Sequence, residues 1–356
     1  MVLTAQGGNG PVHAVFEAYV RASLIILAAA SAATTSDLRR GEHYNSVSME
    51  EAWRIVQAAA LGAEAAERTG RPGLFALGDD LELRPSDRTQ AVLAWHPGSG
   101  WEALLAEEDD RRALVDLYLP VCSATTARPI AVGHLGQSLD GFIATNAGES
   151  QYVTGPENLL HMHRMRALCD AVVVGAGTVA ADDPQLTVRH VSGPSPLRVV
   201  LDPTRRLEEH YRVFSDDAAA TLYVCARSAT TPEEHHFGRA TLVAVDDHED
   251  GVDLPKLVRL LHARGCSRLF IEGGGVTVSM FLEVNLLDRL QMAIAPLIIG
   301  EGRPAIRLPP PAALSDCHRP AYRVFRMGGD ILFDCDLRSS PDGNRTGSQP
   351  GITRIV

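Results

Sequence analysis

Lysine is almost absent from this chain of 356 residues: Lys256 is the only one, and the other basic residues are arginines. A mechanism that forms a Schiff base on a lysine side chain is therefore not expected, because Lys256 lies in a helical pattern far from the glycine-rich motifs. An anionic substrate would have to be held by arginine guanidinium groups, by backbone N–H groups or by both.

An excess of positive charge is missing too. The formal net charge is -11, whereas a protein that binds the nucleic-acid backbone needs a basic face, so we expect no nucleic-acid partner. We also expect no membrane association through a spanning helix, because the apolar run at residues 24–33 is too short to cross a bilayer.

Paired cysteine motifs are lacking as well. The six cysteines form no C-x-x-C pair, and most of them lie in apolar runs, which favours reduced, buried thiols over a disulfide framework. Because residues 24–33 follow Arg21, a signal peptide is one alternative for this end of the chain. The scattered cysteines and the cofactor site argued from the motifs favour a cytoplasmic protein instead.

Residues 1–127 contain no catalytic constellation. We expect residues 1–45 to be disordered or poorly specified, and residues 46–127 to form a small α+β module. Ser48 and Glu51 resemble a capping box that opens a helix over residues 49–69. A strand is predicted at residues 91–95 and a second helix at residues 101–105.

From residue 128 to residue 337 predicted strands and helices alternate. This alternation is typical of an α/β domain with a mainly parallel sheet flanked by helices. The tail at residues 338–356 is rich in Ser, Pro, Gly, Asp and Asn, and we expect it to be disordered. The predicted strands are 130–135, 171–174, 197–201, 221–224, 241–245, 268–271 and 290–299, and the predicted helices are 157–168, 254–263 and 276–283.

Two of these strands end in glycine-rich segments. One runs into Gly175, Gly177 and Thr178, and the other into Glu272 and residues 273–275. The G-x-G-T spacing differs from the Rossmann fingerprint, and by itself it fits a tight turn equally well. Bare N–H groups at the start of a helix bind pyrophosphate, and two strand–glycine–helix elements in one domain favour a dinucleotide over a single phosphate. Glu272 either hydrogen-bonds a sugar hydroxyl or ring N–H, or is a helix N-terminal charge.

A third motif is the ADDP-x-L-T-V-R segment at residues 181–189. Its paired carboxylates before a proline are typical of a turn. Arg189 is flanked by loops and is a candidate for bidentate contact with a phosphate, as is Arg166 near the end of a predicted helix. For either arginine alone, an ordinary surface charge is the alternative.

Together these segments resemble the reductase domain of the bacterial riboflavin-biosynthesis deaminase/reductase proteins, a family with a dihydrofolate-reductase-like fold. The resemblance covers about 200 residues in the same order. The matching stretches are 138–141 (SLDG), 150–155 (SQYVTG), 163–167 (HRMRA), 170–189, 196–202 (PLRVVLD), 272–275 (EGGG) and 294–297 (IAPL).

The resemblance implies an activity and site residues. The activity is the NADPH-dependent reduction of the ribose of 5-amino-6-(5-phosphoribosylamino)uracil to a ribityl chain. The implied substrate contacts are Ser150, Arg166, Leu186, Arg189 and Glu272, with the two arginines on the 5-phosphate. The implied and motif-based cofactor contacts are Tyr152, Gly175, Gly177, Thr178, Asp182, Pro203, Gly273, Gly274, Gly275, Val276 and Thr277.

His134 departs from the family pattern. It stands four residues before the serine of the SLDG motif, where the family often has lysine. Histidine titrates near neutral pH, so a positive charge at this position would be conditional. An ordinary strand residue is the alternative, and we take His134 and Glu272 as the candidate catalytic residues.

The deaminase half of the family pattern is missing from residues 1–127. Bifunctional members carry a zinc deaminase with H-x-E and P-C-x-x-C motifs. Here neither motif occurs and Cys122 is the only cysteine, so we expect no deaminase and no metal site. The amino-terminal module then covers the cleft, extends a dimer interface or has another role.

Two alternatives to the uracil reductase remain. One is an NADPH reductase for another pteridine- or pyrimidine-like substrate, which His134 and the unusual amino-terminal region encourage. The other is a non-catalytic nucleotide-binding homologue. The combination of Arg166, Arg189 and Glu272 argues against the latter, because a simple NADPH binder needs no grip on a substrate phosphate. The resemblance also implies a homodimer, with residues 290–299 as an interface element.

Overall fold

The structure, a computed structural model, describes residues 37–248 and 251–338, with side chains from residue 47 onward. The chain divides into two compact units, residues 1–52 and 53–356. Of the first unit, residues 37–52 are described, and they are helical. Of the residues predicted to be disordered or poorly specified, 1–45 and 338–356, residues 37–45 are helical. Residues 1–36 and 339–356 lie outside the described residues.

Helix α1 (Asp37–Arg68) begins well before the predicted start at residue 49. The predicted capping box is therefore wrong, because Ser48 and Glu51 lie inside the helix. Residues 37–48 contain no proline, so no backbone N–H is missing from this stretch and the helix extends through it.

A small antiparallel sheet with the strand order β2-β1-β3-β4 follows α1. Its last strand occupies the segment predicted as a helix at residues 101–105, so that prediction is wrong. Trp101 pairs across the strands with Trp95, with ring centroids 4.7 Å apart, and such a cross-strand aromatic pair stabilises the extended conformation. The elements are β1 (Gly73–Leu77), β2 (Leu83–Pro85), β3 (Leu93–His96), β4 (Gly100–Ala103) and α2 (Arg112–Cys122).

A ten-stranded sheet with the order β10-β11-β9-β8-β7-β14-β5-β15-β18-β17 carries the rest of the fold. Neighbouring strands from β11 to β15 run parallel, and antiparallel pairs lie at both edges. The predicted α/β architecture with a mainly parallel sheet is confirmed. The strands are β5 (Ile130–Ser138), β7 (Ala171–Gly175), β8 (Leu197–Leu201), β9 (Thr221–Ala226), β10 (His236–Phe237), β11 (Ala240–Val245), β14 (Arg268–Ile271), β15 (Arg289–Ala295), β17 (Ala321–Met327) and β18 (Asp330–Asp336).

Helices connect the parallel strands, and two separate two-stranded antiparallel sheets accompany the large one. The helices are α3 (Pro156–Leu168), α4 (Ala176–Asp182), α5 (Arg212–Ser215), α6 (Leu254–Ala263) and α7 (Gly275–Glu283). Strands β6 (Phe142–Thr145) and β16 (Gly302–Pro304) pair with each other, as do β12 (Asp247–His248) and β13 (Gly251–Val252).

The predicted strand at residues 290–299 is shorter than expected. It ends at Ala295 because Pro296 has no N–H to donate to a neighbouring strand. The helices α3, α6 and α7 match their predicted ranges to within one residue. Helix α4 and the hairpin of β17 and β18 were not predicted.

Arg268 fastens the segment between Trp53 and Cys122 to the large sheet. Its guanidinium donates to the carbonyl oxygens of Ala60 at 2.7 Å, Val121 at 3.2 Å and Ala124 at 3.1 Å. A guanidinium has five N–H donors, so one half-buried arginine bonds several backbone carbonyls of the two helices and the segment after α2 at once.

The thiols agree with the prediction of a reduced protein. All six cysteines lie within the described ranges and are free, and Cys122, Cys169, Cys225 and Cys266 are buried. Among the described residues, no helix combines the length and apolar composition that crossing a membrane requires. Over the same ranges, no group of three or more His, Cys, Asp or Glu side chains is placed to hold a metal ion.

Candidate active site

The two glycine-rich segments lie side by side at the carboxyl ends of neighbouring strands. Strands β7 and β14 are parallel partners, so their carboxyl ends meet at one edge of the sheet, where open α/β sheets bind ligands. Thr178 at the start of α4 accepts a hydrogen bond of 2.9 Å from the backbone N–H of Gly274. This bond joins the two segments into one continuous surface.

The glycines of this surface fall into two kinds. A Cβ at Gly175 would collide with Thr277 Oγ1, and Gly273 has a φ of +113° and would place a Cβ 2.7 Å from Thr178 Oγ1. Packing between the two segments therefore requires these glycines. A Cβ at Gly274 would come no closer than 3.4 Å, and at Gly177 no closer than 3.9 Å, to any neighbour. These two open faces fit the close approach of a ligand such as a dinucleotide.

Helix α7 begins at Gly275 directly behind this surface. No side chain among the described residues caps its amino end, so its first N–H groups stay available for an anion. Thr277 is buried in the first turn, whereas Val276 is exposed. The backbone and Val276, rather than Thr277, are therefore accessible at this end of the helix.

Glu272 and Arg166 form a buried ion pair. Arg166 Nε donates to Glu272 Oε2 at 2.8 Å, and its Nη2 donates to Oε1. Their side chains are only 8% and 9% exposed. Arg166 Nη1 also donates to the carbonyl oxygen of Thr187 at 3.3 Å. We predicted that Arg166 contacts a phosphate, but in the structure its guanidinium is already paired with the Glu272 carboxylate.

Arg189 lies in the segment between α4 and β8, residues 183–196, which we call the Arg189 loop. Its Nη1 donates to Thr187 Oγ1 at 2.8 Å and to Gln185 Oε1 at 3.1 Å, and its backbone N–H donates to His163 Nδ1 at 3.1 Å. Burial and the neighbouring charge of Arg166 lower the pKa of Arg189, while Glu272 raises it. Two cations and one carboxylate therefore share this part of the site, which favours an anionic ligand.

Asp182 and Ser150 lie near the same carboxylate. Burial raises the pKa of Asp182, a hydrogen bond from Ser150 and the charge of Arg303 lower it, and the charge of Glu272 raises it further. Leu186 is fully buried with a φ of +56°, so its side chain packs beneath the surface and its backbone turns the Arg189 loop. The predicted substrate contacts on the two loops and on α3 are thus brought into one region.

His134 is placed differently. It is buried, neither of its ring nitrogens makes a well-formed hydrogen bond, and its ring stands 5.1 Å from that of His161. Burial and the neighbouring His161 hold the pKa of His134 well below its usual value. His134 lies opposite Gln291 in the pairing of β5 with β15. The pairing of β5 with β14 ends at Gly133 and Ile271, so the next residues on these parallel strands, His134 and Glu272, lie side by side. It is a neutral residue beneath the site.

Tyr152 and Pro203 occupy the periphery of the surface. Tyr152 is 93% exposed and has a φ of +67°. Pro203 follows β8, the strand beside β7, where the buried Asp202 carboxylate accepts the backbone N–H of Arg206 at 2.7 Å and of Leu207 at 2.9 Å. These bonds fix the turn that follows β8.

Two arginines were missed by the sequence analysis. Arg206 Nη2 is the nearest neighbour of the open face of Gly177, and the side chain is 64% exposed with one ion-pair contact of 3.9 Å to Asp202. Arg303 Nη2 lies against Gly148 in the loop before Ser150. No local motif marks either one, because each reaches the site through the folding of a separate segment.

Comparison with known proteins adds a family to this geometry. The family model described as the RibD C-terminal domain matches residues 132–322. The chain is 38% identical over 218 residues to the 2,5-diamino-6-ribosylamino-4(3H)-pyrimidinone 5′-phosphate reductase of Methanothermobacter thermautotrophicus, which covers 59% of this chain and 99% of that protein. It is 35% identical over 183 residues to the protein of the same name from Archaeoglobus fulgidus, covering 49% and 83%.

The fold also resembles that of a solved bifunctional protein. This is a diaminohydroxyphosphoribosylaminopyrimidine deaminase/5-amino-6-(5-phosphoribosylamino)uracil reductase from Thermotoga maritima, with a TM-score of 0.50 and 25% identity, covering 65% of this chain and 62% of that one. The present chain thus spans less than two thirds of that deaminase/reductase. The predicted dihydrofolate-reductase-like fold is confirmed.

Proposed function

Because the chain belongs to the RibD C-terminal domain family, we propose that it is an NADPH-dependent reductase that converts the ribose of a ribosylamino-pyrimidine 5′-phosphate into a ribityl chain for riboflavin biosynthesis. The observation that carries the proposal is the junction of two sites. The joined glycine segments lie beside the cluster of Glu272, Arg166 and Arg189, so a dinucleotide and a sugar phosphate can meet at one sheet edge.

The cofactor, when bound, supplies a hydride to the sugar carbon. We assign its pyrophosphate to the open faces of Gly177 and Gly274 and to the amino end of α7. Arg206 supports NADPH over NADH, because it belongs to the turn after Pro203, where we place the adenosine half, and its guanidinium is exposed. An arginine in such a place favours a 2′-phosphate over a bare hydroxyl. Tyr152 would cover the outer side.

For the substrate, we assign the 5′-phosphate to Arg189, whose guanidinium shares only Nη1 with its own loop. Arg166 adds positive charge and fixes the Glu272 carboxylate, which is then oriented to accept from a hydroxyl or ring N–H of the substrate. Ser150 and Asp182 complete the same side. The protein's part is to hold the sugar carbon in a fixed geometry and to keep water out.

The pyrimidine itself is either the 2-oxo or the 2-amino form. The sequence resemblance implies 5-amino-6-(5-phosphoribosylamino)uracil, whereas the two archaeal relatives carry a name with a 2,5-diamino-pyrimidinone. Glu272 and Arg189 can bind the sugar phosphate of either form of the pyrimidine, so both forms should be offered to the enzyme. The neutral, buried His134 keeps a reductase for another pyrimidine or pteridine as the second candidate.

The decisive experiment follows NADPH oxidation with each pyrimidine form in turn. We expect turnover with at least one of them and restored growth of a riboflavin auxotroph that lacks only the reductase. Arg189→Ala should raise KM by roughly 30-fold, since a charge-assisted contact contributes about 2 kcal/mol. An unchanged KM would exclude the phosphate role of Arg189, and NADPH binding without turnover on either form would favour the second candidate.

We further propose a cytoplasmic homodimer in which residues 46–127 form a module of their own beside the reductase domain at residues 128–337. The free, mostly buried thiols suit a reducing compartment, and the dimer follows from the family resemblance. Sedimentation of the purified chain tests the dimer, and localisation of a tagged chain tests the compartment.

A further inference from the structure

The Arg189 loop needs support from outside itself. It runs from residue 183 to residue 196 without a helix or strand, and Asp183 and Leu186 both have positive φ angles. A connection of this length without regular structure inside a compact fold is usually functional, and ordering it has an entropic cost. Contacts that hold it in place therefore influence how well Arg189 is positioned.

One set of contacts comes from α3. His163 accepts the backbone N–H of Arg189, and Gly193 lies so close to this helix that a Cβ would stand 2.7 Å from the Cβ of Ala167. These contacts hold one face of the loop against the domain that the family model matches.

The other set comes from α1, outside that match. Trp53 Nε1 donates to Ser192 O at 3.1 Å and lies 3.2 Å from Ser192 Oγ, and Gln57 Nε2 donates to Ser192 O at 3.0 Å. Ser192 Oγ also donates to Gln57 Oε1 at 3.3 Å. Trp53 and Gln57 are four residues apart on one helix face, so both reach the same point of the loop, three residues after Arg189.

Trp53 is itself held rigidly. Its indole is 5% exposed, packs edge-on against Tyr118 with centroids 5.9 Å apart, and lies 5.8 Å under the guanidinium carbon of Arg164. Ser192, by contrast, is exposed. A fixed donor on the amino-terminal segment thus anchors a loop residue that is itself exposed.

From this arrangement we infer that Trp53 and Gln57 are positioning residues for the Arg189 loop, so that the amino-terminal module sets the affinity of the enzyme for its phosphorylated substrate. The inference rests on the proposed function. The segment outside the family match then contributes to substrate binding indirectly, by holding Arg189 in position. Neither Trp53 nor Gln57 has to contact the substrate.

The test compares two variants, in each of which one tryptophan loses the hydrogen bond of its indole N–H. In W53F/Q57A the loop loses its bonds to α1, and we expect KM to rise about tenfold, with kcat changed by less than about twofold, because the loop becomes less ordered while Arg189 itself is kept. Hydrogen exchange of residues 188–193 should become faster. The control is W101F, because Trp101 Nε1 donates to Ala59 O at 2.9 Å inside the module and its loss should leave KM and that exchange unchanged.

The outcomes separate the inference from the proposed function. If R189A raises KM while W53F/Q57A leaves both KM and loop exchange as in the wild type, the inference is overturned and the proposed function stands. If R189A leaves KM unchanged, the phosphate role fails, and faster loop exchange in W53F/Q57A then supports the anchoring alone. Should the double variant fail to fold, Q57A at its half-exposed site is judged by the same two measurements.

Discussion

Glu272→Gln is the substitution that examines the ion pair at the centre of the site most directly. It keeps the size of the side chain and removes its charge, leaving the Arg166 guanidinium in surroundings where it is 8% exposed. Removing one partner of a buried pair costs about 3–5 kcal/mol, because the remaining charge is desolvated without compensation.

Two neighbours shift that magnitude. Glu272 raises the pKa of Asp182, so its neutralisation removes a repulsion from that carboxyl group. Against this, Arg166 lowers the pKa of Arg189 and Glu272 opposes that effect, so the two arginines repel each other more once the carboxylate is gone. The opposing terms leave an expected loss of about 3 kcal/mol, or a fall in Tm of roughly 6–12 °C.

Phosphate should distinguish a functional pair from a merely structural one. In E272Q Arg166 loses its carboxylate partner and Arg189 loses a neighbouring negative charge. Inorganic phosphate should therefore raise Tm by more than it does in the wild type, because a ligand stabilises the state that it binds. Thermal melts and urea unfolding with and without phosphate measure both effects. The exposed Glu283 provides the control variant E283Q, with a change expected within about 0.5 kcal/mol.

An E272Q variant that melts like the wild type would show that the unpaired Arg166 carries no desolvation cost. Equal shifts of Tm by phosphate in the two proteins would show that Arg166 and Arg189 form no anion site.

Two further predictions concern the cofactor and pH. R206A should weaken NADPH binding about tenfold or more and leave NADH binding unchanged, as titrated by fluorescence. The control is R205A, which should change neither affinity because Arg205 is paired with Glu234 at 2.6 Å. Equal losses of affinity for both cofactors would contradict the assignment of Arg206 to the 2′-phosphate. Burial lowers the pKa values of His161 and His163 to about 4, so the unfolded chain binds more protons below its histidine pKa of about 6.5. Stability should be complete above about pH 6.5 and decline as the pH falls towards 4, by at least about 2 kcal/mol between pH 7 and pH 5 in urea unfolding; a flat profile would contradict the burial of neutral histidines.

Much of the fold could be predicted because the sheet strands are continuous apolar runs. The first four residues of strand β7 (Ala171–Gly175) are buried on both faces, which is the pattern of a parallel sheet covered by helices. The segment at Trp101 could not be assigned in the same way. Its conformation depends on Trp95 across the hairpin and on Ala59 of a distant helix, and neither contact is visible within a short window of sequence.

The site was predictable where local chemistry and strand ends coincide. The glycine segments and Glu272 follow directly from two strand ends, and Arg189 from a recognisable motif. The pairing of Arg166 with Glu272 was not foreseen, because it joins residues 106 positions apart. Arg206 could not be singled out in the sequence either, because it is one of many arginines. What distinguishes it is its position near Gly177 with only a weak ion-pair partner.

The position of His134 decides where the positive charge of the site resides. The resemblance places a lysine at this position in many family members, and a lysine there would add a cation beneath the sugar. Here burial keeps the His134 pKa well below the usual value, so the residue is neutral at physiological pH. Arg166 and Arg189, whose charges interact with Glu272, are then the cations to which we assign the attraction of the proposed substrate phosphate. H134L should accordingly retain the wild-type KM, whereas a KM increase comparable to that of R189A would show that His134 carries charge in the complex.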